Sequence, residues 1–154
     1  MSIQYPHNRR KLLGTGAALA VAGFFGATGR VFATVDDVEE AIIEFSGGGA
    51  VQDGTITLTM PEIAENGNSV PVSIAVDSPM TDDNYVESVL LLAEGNPNPD
   101  VVTFHFTPAS GKAMSTTRMR LAQTQSVVAV AKMSDGSLYK DTRNVRVTIG
   151  GCGS

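Results

Sequence analysis

One residue in the chain carries a reactive sulfur. Cys152, the single cysteine, sits in the closing stretch "VTIGGCGS", flanked by Gly150, Gly151 and Gly153. A packing cysteine belongs in a strand or helix among apolar neighbours, and this one has none. Three glycines in five residues lose the most backbone entropy on ordering, so the sequence predicts a mobile arm over 150–154. Fully extended, that arm carries Cys152 on the order of 10 Å beyond Ile149, at about 3.3–3.6 Å per residue. A free thiol titrates near pH ~8.5 and is only a few per cent thiolate at neutral pH, yet that fraction is nucleophilic. No neighbour in sequence supplies a general base. The chemistry at this sulfur therefore has to come from other proteins, and the arm reads as a carrier with no catalytic residues of its own.

Other roles for Cys152 are narrower. A disulfide within the chain is excluded by the cysteine count. A disulfide between chains, as in an exported structural or adhesion domain, stays open as the alternative. Metal binding would have to recruit His105, and two ligands do not make a site. His105 lies between Phe104 and Phe106 and reads as a surface strand residue. A Cys–His nucleophile needs a rigid frame, which a glycine arm does not provide. The expectation is no metal and no cofactor.

The other end of the chain indicates the compartment. Arg9 and Arg10 precede a weakly apolar, glycine-diluted run from Leu12 to Phe25, and Val31 and Ala33 fit a small-residue cleavage site. This is the layout of a twin-arginine signal peptide over 1–33, with export to the periplasm and a mature start at Thr34. The run is too weakly hydrophobic for a permanent anchor, so no membrane attachment is expected after cleavage. The diglycine of ubiquitin-like sulfur carriers is excluded as a parallel, because those chains end at the second glycine and need ATP, which the periplasm lacks.

Cleavage leaves seven basic residues against sixteen acidic ones, a net charge of −9. Such a field repels phosphates and excludes nucleic-acid binding. The charge is uneven, with no Lys or Arg between Thr34 and Gly111. Lys140, Arg143 and Arg146 fall within a dozen residues of Cys152. They read either as a solvated strand face or as a docking patch for partners and anionic adducts.

The elements that must hold the arm follow from periodicity. Val35, Val38, Ala41, Ile42 and Phe45 share a helical face, Thr34 is placed to cap it, and Gly47-Gly48-Gly49 ends it. From there the period is two: "TITLTM", "VPVSIAV", "VVTFHFTP", "TTRMRLA" and "NVRVTI" alternate, "SVVAVAKM" and "SLYKD" flank a turn, and "YVESVLLLA" is nearly continuously apolar, as a central strand should be. Asn66-Gly67 reads as a hairpin turn between the first two runs, and Ser134-Asp135-Gly136 as a turn. Seven or eight short strands predict an all-β, immunoglobulin-like sandwich over 34–149 with a short N-terminal helix. Its open strand edges suggest a partner subunit, and the apolar run "VESVLLLAEG" is a candidate for that interface or for the core beneath it.

A twin-arginine leader, a small β domain and a terminal Gly150-Gly151-Cys152-Gly153 together resemble the SoxY family, the sulfur carriers of the periplasmic thiosulfate-oxidising Sox system. Ser154 stands where the family's usual ending has a last glycine. The resemblance implies a heterodimer with a SoxZ-like subunit and intermediates held covalently on Cys152. A haem-containing SoxAX-type cytochrome would join thiosulfate to the thiol as an S-thiosulfonate. A SoxB-type hydrolase would release sulfate and leave a persulfide. A sulfane dehydrogenase, where present, would oxidise the remaining sulfur.

Overall fold

The computed structural model describes residues 32–150; the leader up to residue 31 and residues 151–154, including Gly151, Cys152 and Gly153, lie outside the described residues. The chain runs α1 (Val35–Ser46), β1 (Val51–Asp53), β2 (Ile56–Thr59), β3 (Ile63–Asn66), β4 (Val70–Val76), β5 (Val86–Ala93), β6 (Asp100–His105), a 3-10 turn, β7 (Ala113–Met119), β8 (Gln125–Met133) and β9 (Leu138–Ile149). Two sheets pack face to face. One has the order β1-β9-β8-β5-β6, with β3 also pairing on β9; the other is β2-β4-β7. This is the expected sandwich, with nine strands.

Local chemistry explains the helix. Thr34 caps α1 in a reciprocal capping box with Asp37, whose carboxylate accepts from the Thr34 backbone N–H at 2.6 Å. Gly47 ends the helix in the left-handed region at φ 67°, where a side chain would be strained. Val38 is buried, with Ala41, Ile42 and Phe45 packed beside it on Leu90, Leu92, Val128, Val130 and Leu138. Val35, expected on that face, is exposed at the first helical position.

The helix covers the outer face of β5 and β8, whose inner faces meet the second sheet. Val89, Leu91, Val127 and Ala129 contribute to that inner core with Leu58, Val72 and Ile74. Covered on both faces, β5 is apolar from Val89 to Ala93, and of the two places the run could take, interface or core, it takes the core.

Two expectations are corrected. Asn66-Gly67 does not join a hairpin. β2 and β4 do pair antiparallel, but β3 intervenes and crosses to the other sheet, where it runs parallel to β9 (Ile63 opposite Arg146, Asn66 opposite Ile149). "SLYKD" and "NVRVTI" are not separate strands. They form one twelve-residue strand, β9, flanked by β8 on one side and by β1 and then β3 on the other.

Candidate functional site

β9 is the element that leads to the cysteine. Its last residue, Ile149, is held at the backbone: its carbonyl accepts from the Gly67 N–H at 2.7 Å, and the Gly67 carbonyl accepts from the Leu121 N–H at 2.8 Å. Gly67 thus ties the end of β9 to the segment between β7 and β8. That segment is itself fixed. Leu121 is fully buried. The Ala122 N–H donates to Asn96 Oδ1 at 3.0 Å, and Asn96 Nδ2 donates to the Arg120 carbonyl at 2.9 Å. Gln125, also buried, donates from Nε2 to the same Asn96 oxygen at 3.0 Å and accepts from the Gly95 N–H at 2.7 Å. Thr124 completes the seam, its hydroxyl accepting from the Val147 N–H at 3.0 Å.

Gly150 rests against this ledge. A Cβ built on it would collide with the backbone carbonyl of Ala122. Sequence composition assigns Gly150 to a flexible arm; in the structure it is instead the residue that lets the chain lie close against a fixed backbone. Asn96, Gly67, Ala122 and Gln125 carry no chemical signature that would have identified them. They are 25 to 83 positions from Gly150 in the chain and meet only through the fold.

Lys140 does not share a patch with Arg143 and Arg146, which line one cleft. Arg143 is engaged within the domain: its Nε donates to the Leu58 carbonyl at 2.8 Å, and its Nη2 lies 3.1 Å from Asp141 Oδ2. The same carboxylate oxygen accepts from the Leu58 N–H at 2.9 Å. The pair satisfies both backbone groups of Leu58 on the open side of β2, the edge of its sheet. Lys140 lines a cleft with Glu39, Ile42 and Ser46 of α1. Arg146 is exposed, in a cleft with Glu62, Ile63 and Arg143. A strand rises about 3.3 Å per residue, so Lys140 lies about 30 Å from Gly150 and Arg146 about 13 Å. His105 is exposed on the edge strand β6, as expected. Among the described residues, no three His, Cys, Asp or Glu side chains are grouped to hold a metal ion, and no helix is long and apolar enough to cross a membrane.

The family model for "Sulfur oxidation protein SoxY" matches residues 43–152, a span that ends on the cysteine. Among solved structures, the sulfur carrier protein SoxY from Chlorobium limicola f thiosulfatophilum is 32% identical, with a TM-score of 0.64, over 75% of this chain and 100% of that one. A superoxide reductase (neelaredoxin) variant from Ignicoccus hospitalis is 19% identical at a TM-score of 0.55, over 74% of this chain and 92% of its own. The superoxide reductase from Nanoarchaeum equitans is 12% identical at 0.53, over 62% and 100%. The two reductases share the fold alone. No curated protein sequence matches the chain.

Proposed function

The chain belongs to the SoxY family, and from that premise we propose that Cys152 is the residue on which it carries sulfur. The protein is a sulfur carrier of the Sox system, not an enzyme. One observation supports the assignment to Cys152: the family match extends through the glycine-flanked stretch to the chain's one thiol.

In the first step the Cys152 thiolate and the outer sulfur of thiosulfate form an S–S bond. Two electrons leave in successive one-electron transfers through a haem-containing SoxAX-type cytochrome, and the product is a cysteine S-thiosulfonate. In the second, water attacks the sulfonate sulfur under a SoxB-type hydrolase. Sulfate and two protons leave, and a persulfide anion remains on the cysteine. Where a sulfane dehydrogenase is present, it takes six electrons from that outer sulfur while three waters supply oxygen and release six protons, giving a cysteine S-sulfonate that hydrolysis returns to the free thiol and sulfate. A tether keeps each intermediate from diffusing away between enzymes, in the sense that a linked group works at high effective concentration. The reading places the protein in the periplasm after twin-arginine export, as a heterodimer with a SoxZ-like subunit. The alternative of an exported crosslinking domain lacks the support that the family match gives the carrier.

Intact-protein mass after incubation with thiosulfate and the oxidising partner tests the assignment. The wild type gains a sulfur adduct. Cys152→Ser gains none, with unchanged unfolding and partner binding, because the two core clusters of the described residues account for the packing of both sheets and the helix. An adduct on Cys152→Ser, or loss of its cooperative unfolding, overturns it.

A further inference from the structure

We propose that Gly150 is a positioning residue, a fixed root from which the cysteine arm leaves the domain, rather than part of the arm's flexibility. The proposal rests on the carrier reading of Cys152, and its structural half stands on four contacts around the end of β9.

The first contact is the close approach itself. Gly150 lies against the Ala122 carbonyl with no room for a Cβ, and both of the atoms it would meet are backbone. A clash with the tip of a long side chain is relieved by a rotamer change, whereas a clash with backbone requires the ledge or the strand to move. The second contact is the Gly67 bridge, which bonds the carbonyl just before Gly150 to the N–H just before Ala122. The ledge and the strand end are therefore held to one another on either side of the glycine. The third is the Asn96 side chain, which engages the Ala122 N–H and the Arg120 carbonyl. The fourth is the Thr124 hydroxyl on Val147, two residues before Ile149. With Leu121 fully buried between these bonds, the ledge has no easy direction in which to yield.

The consequence is geometric. With Gly150 held, only Gly151 separates the last fixed Cα from that of Cys152, two steps along the chain and a reach of about 7 Å. That length bounds how far the thiol can stand from one exit point on the domain. A partner enzyme that docks on the domain then meets the thiol in a predictable place, and misplacement of a reacting group by about 1 Å can cost on the order of 10²-fold in rate. Gly150 thus sets direction, and reach comes only from the residues beyond it.

The experiment uses the native thiol. A nitroxide on Cys152 reports by its EPR line shape how restricted the arm is, and adduct formation with thiosulfate and the oxidising partner reports delivery. Gly150→Ala should change the nitroxide line shape and slow loading about tenfold at saturating partner, with the half-saturating partner concentration unchanged because the docking face is intact. Ile149→Ala, which trims an exposed side chain without touching the ledge, should match wild type in both. Releasing the ledge with Asn96→Ala should shrink the effect of Gly150→Ala. Should Asn96→Ala not fold, the comparison of Gly150→Ala with Ile149→Ala decides alone. Equal line shapes and equal loading for wild type and Gly150→Ala overturn the proposal while leaving the carrier reading intact. A wild-type protein that takes no sulfur on Cys152 removes the carrier reading, and the line shapes still test the root.

Discussion

Replacing Asp141 by Ala should be among the costliest single changes on the surface of this domain, although the residue looks like an ordinary strand carboxylate. β2 is the edge of the three-stranded sheet, and the open side of an edge strand carries unpaired backbone groups. At Leu58, 1% exposed, those groups are served by side chains: Asp141 Oδ2 takes the N–H at 2.9 Å, and Arg143 Nε serves the carbonyl at 2.8 Å. Removing the carboxylate deletes a hydrogen bond to a charged acceptor and leaves a poorly hydrated donor without a partner, worth about 1.5–3 kcal/mol. The 3.1 Å contact between Asp141 and Arg143 adds little, because the guanidinium is half exposed and such pairs contribute about 0.2–1 kcal/mol. Arg143→Ala should cost less, about 1 kcal/mol, since an under-satisfied carbonyl is tolerated better than an orphaned N–H. For a domain of this size about 2 kcal/mol corresponds to roughly 6–10 °C in Tm. Asp141→Asn, which keeps one acceptor oxygen, should fall between wild type and Asp141→Ala. Urea unfolding followed by circular dichroism, with an unchanged m-value, is the assay. If Asp141→Ala unfolds within about 0.5 kcal/mol of wild type, the carboxylate does not serve the edge and the reasoning is wrong. If Arg143→Ala is as stable as wild type yet loads sulfur slowly at low salt, Arg143 is a docking residue after all.

Two further outcomes come from charge. The screening length is roughly 8–10 Å near physiological salt but about 30 Å at about 0.01 M, so Arg146, about 13 Å along the strand from Gly150, acts on an anionic adduct near the arm at low ionic strength only, whereas Lys140, about 30 Å away, lies at the limit even there; Arg146→Gln should slow loading several-fold at low ionic strength and converge with wild type at high salt, and Lys140→Gln should not, with equal rates for all three proteins marking a merely solvated face. The hydrogen bonds from the Thr34 backbone N–H and then its hydroxyl hold the Asp37 carboxyl below the usual carboxylate range; a lowered carboxylate pKa stabilises the fold above the unfolded value of about 4 and loses that contribution as pH falls through the folded value, so amide exchange in α1 should speed up in acid, and Asp37→Asn should remove this pH dependence.

The readable parts of this fold are those whose cause is local. Thr34 and Gly47 bound α1 because a cap and a left-handed stop each involve a few neighbouring residues. β5 announces itself as central because burial on two faces leaves no polar position in "VLLLA". Asn66-Gly67 misleads for the complementary reason: a turn signal says that the chain bends, but the strand that comes after the bend is chosen by pairing. Here β3 is satisfied by β9, more than eighty residues away, in parallel register.

β9 shows how one structural demand can hide another. Its polar centre, Asp141-Thr-Arg-Asn144, breaks the apolar alternation and so reads as a junction between two strands. The break exists because Asp141 and Arg143 turn toward β2 and act as the neighbouring strand that β2 lacks. Strand parity already carried part of this: Arg143 shares its face with Val145 and Val147, which pack toward the second sheet, while Arg146 lies on the opposite face. Taken as a basic cluster, the three cations seemed equivalent; taken by parity and rise, one is structural, one is distant and one is near the arm. Gly150 obeys the same logic. Among three glycines beside a cysteine it reads as slack, because composition reports what a residue permits and not what approaches it. The Ala122 carbonyl supplies the missing fact, and it can do so only after β7, β8 and β9 have been brought together. A glycine needed for close approach and a glycine needed for freedom are the same letter, and which of them a position holds is decided by the backbone that arrives from elsewhere in the chain.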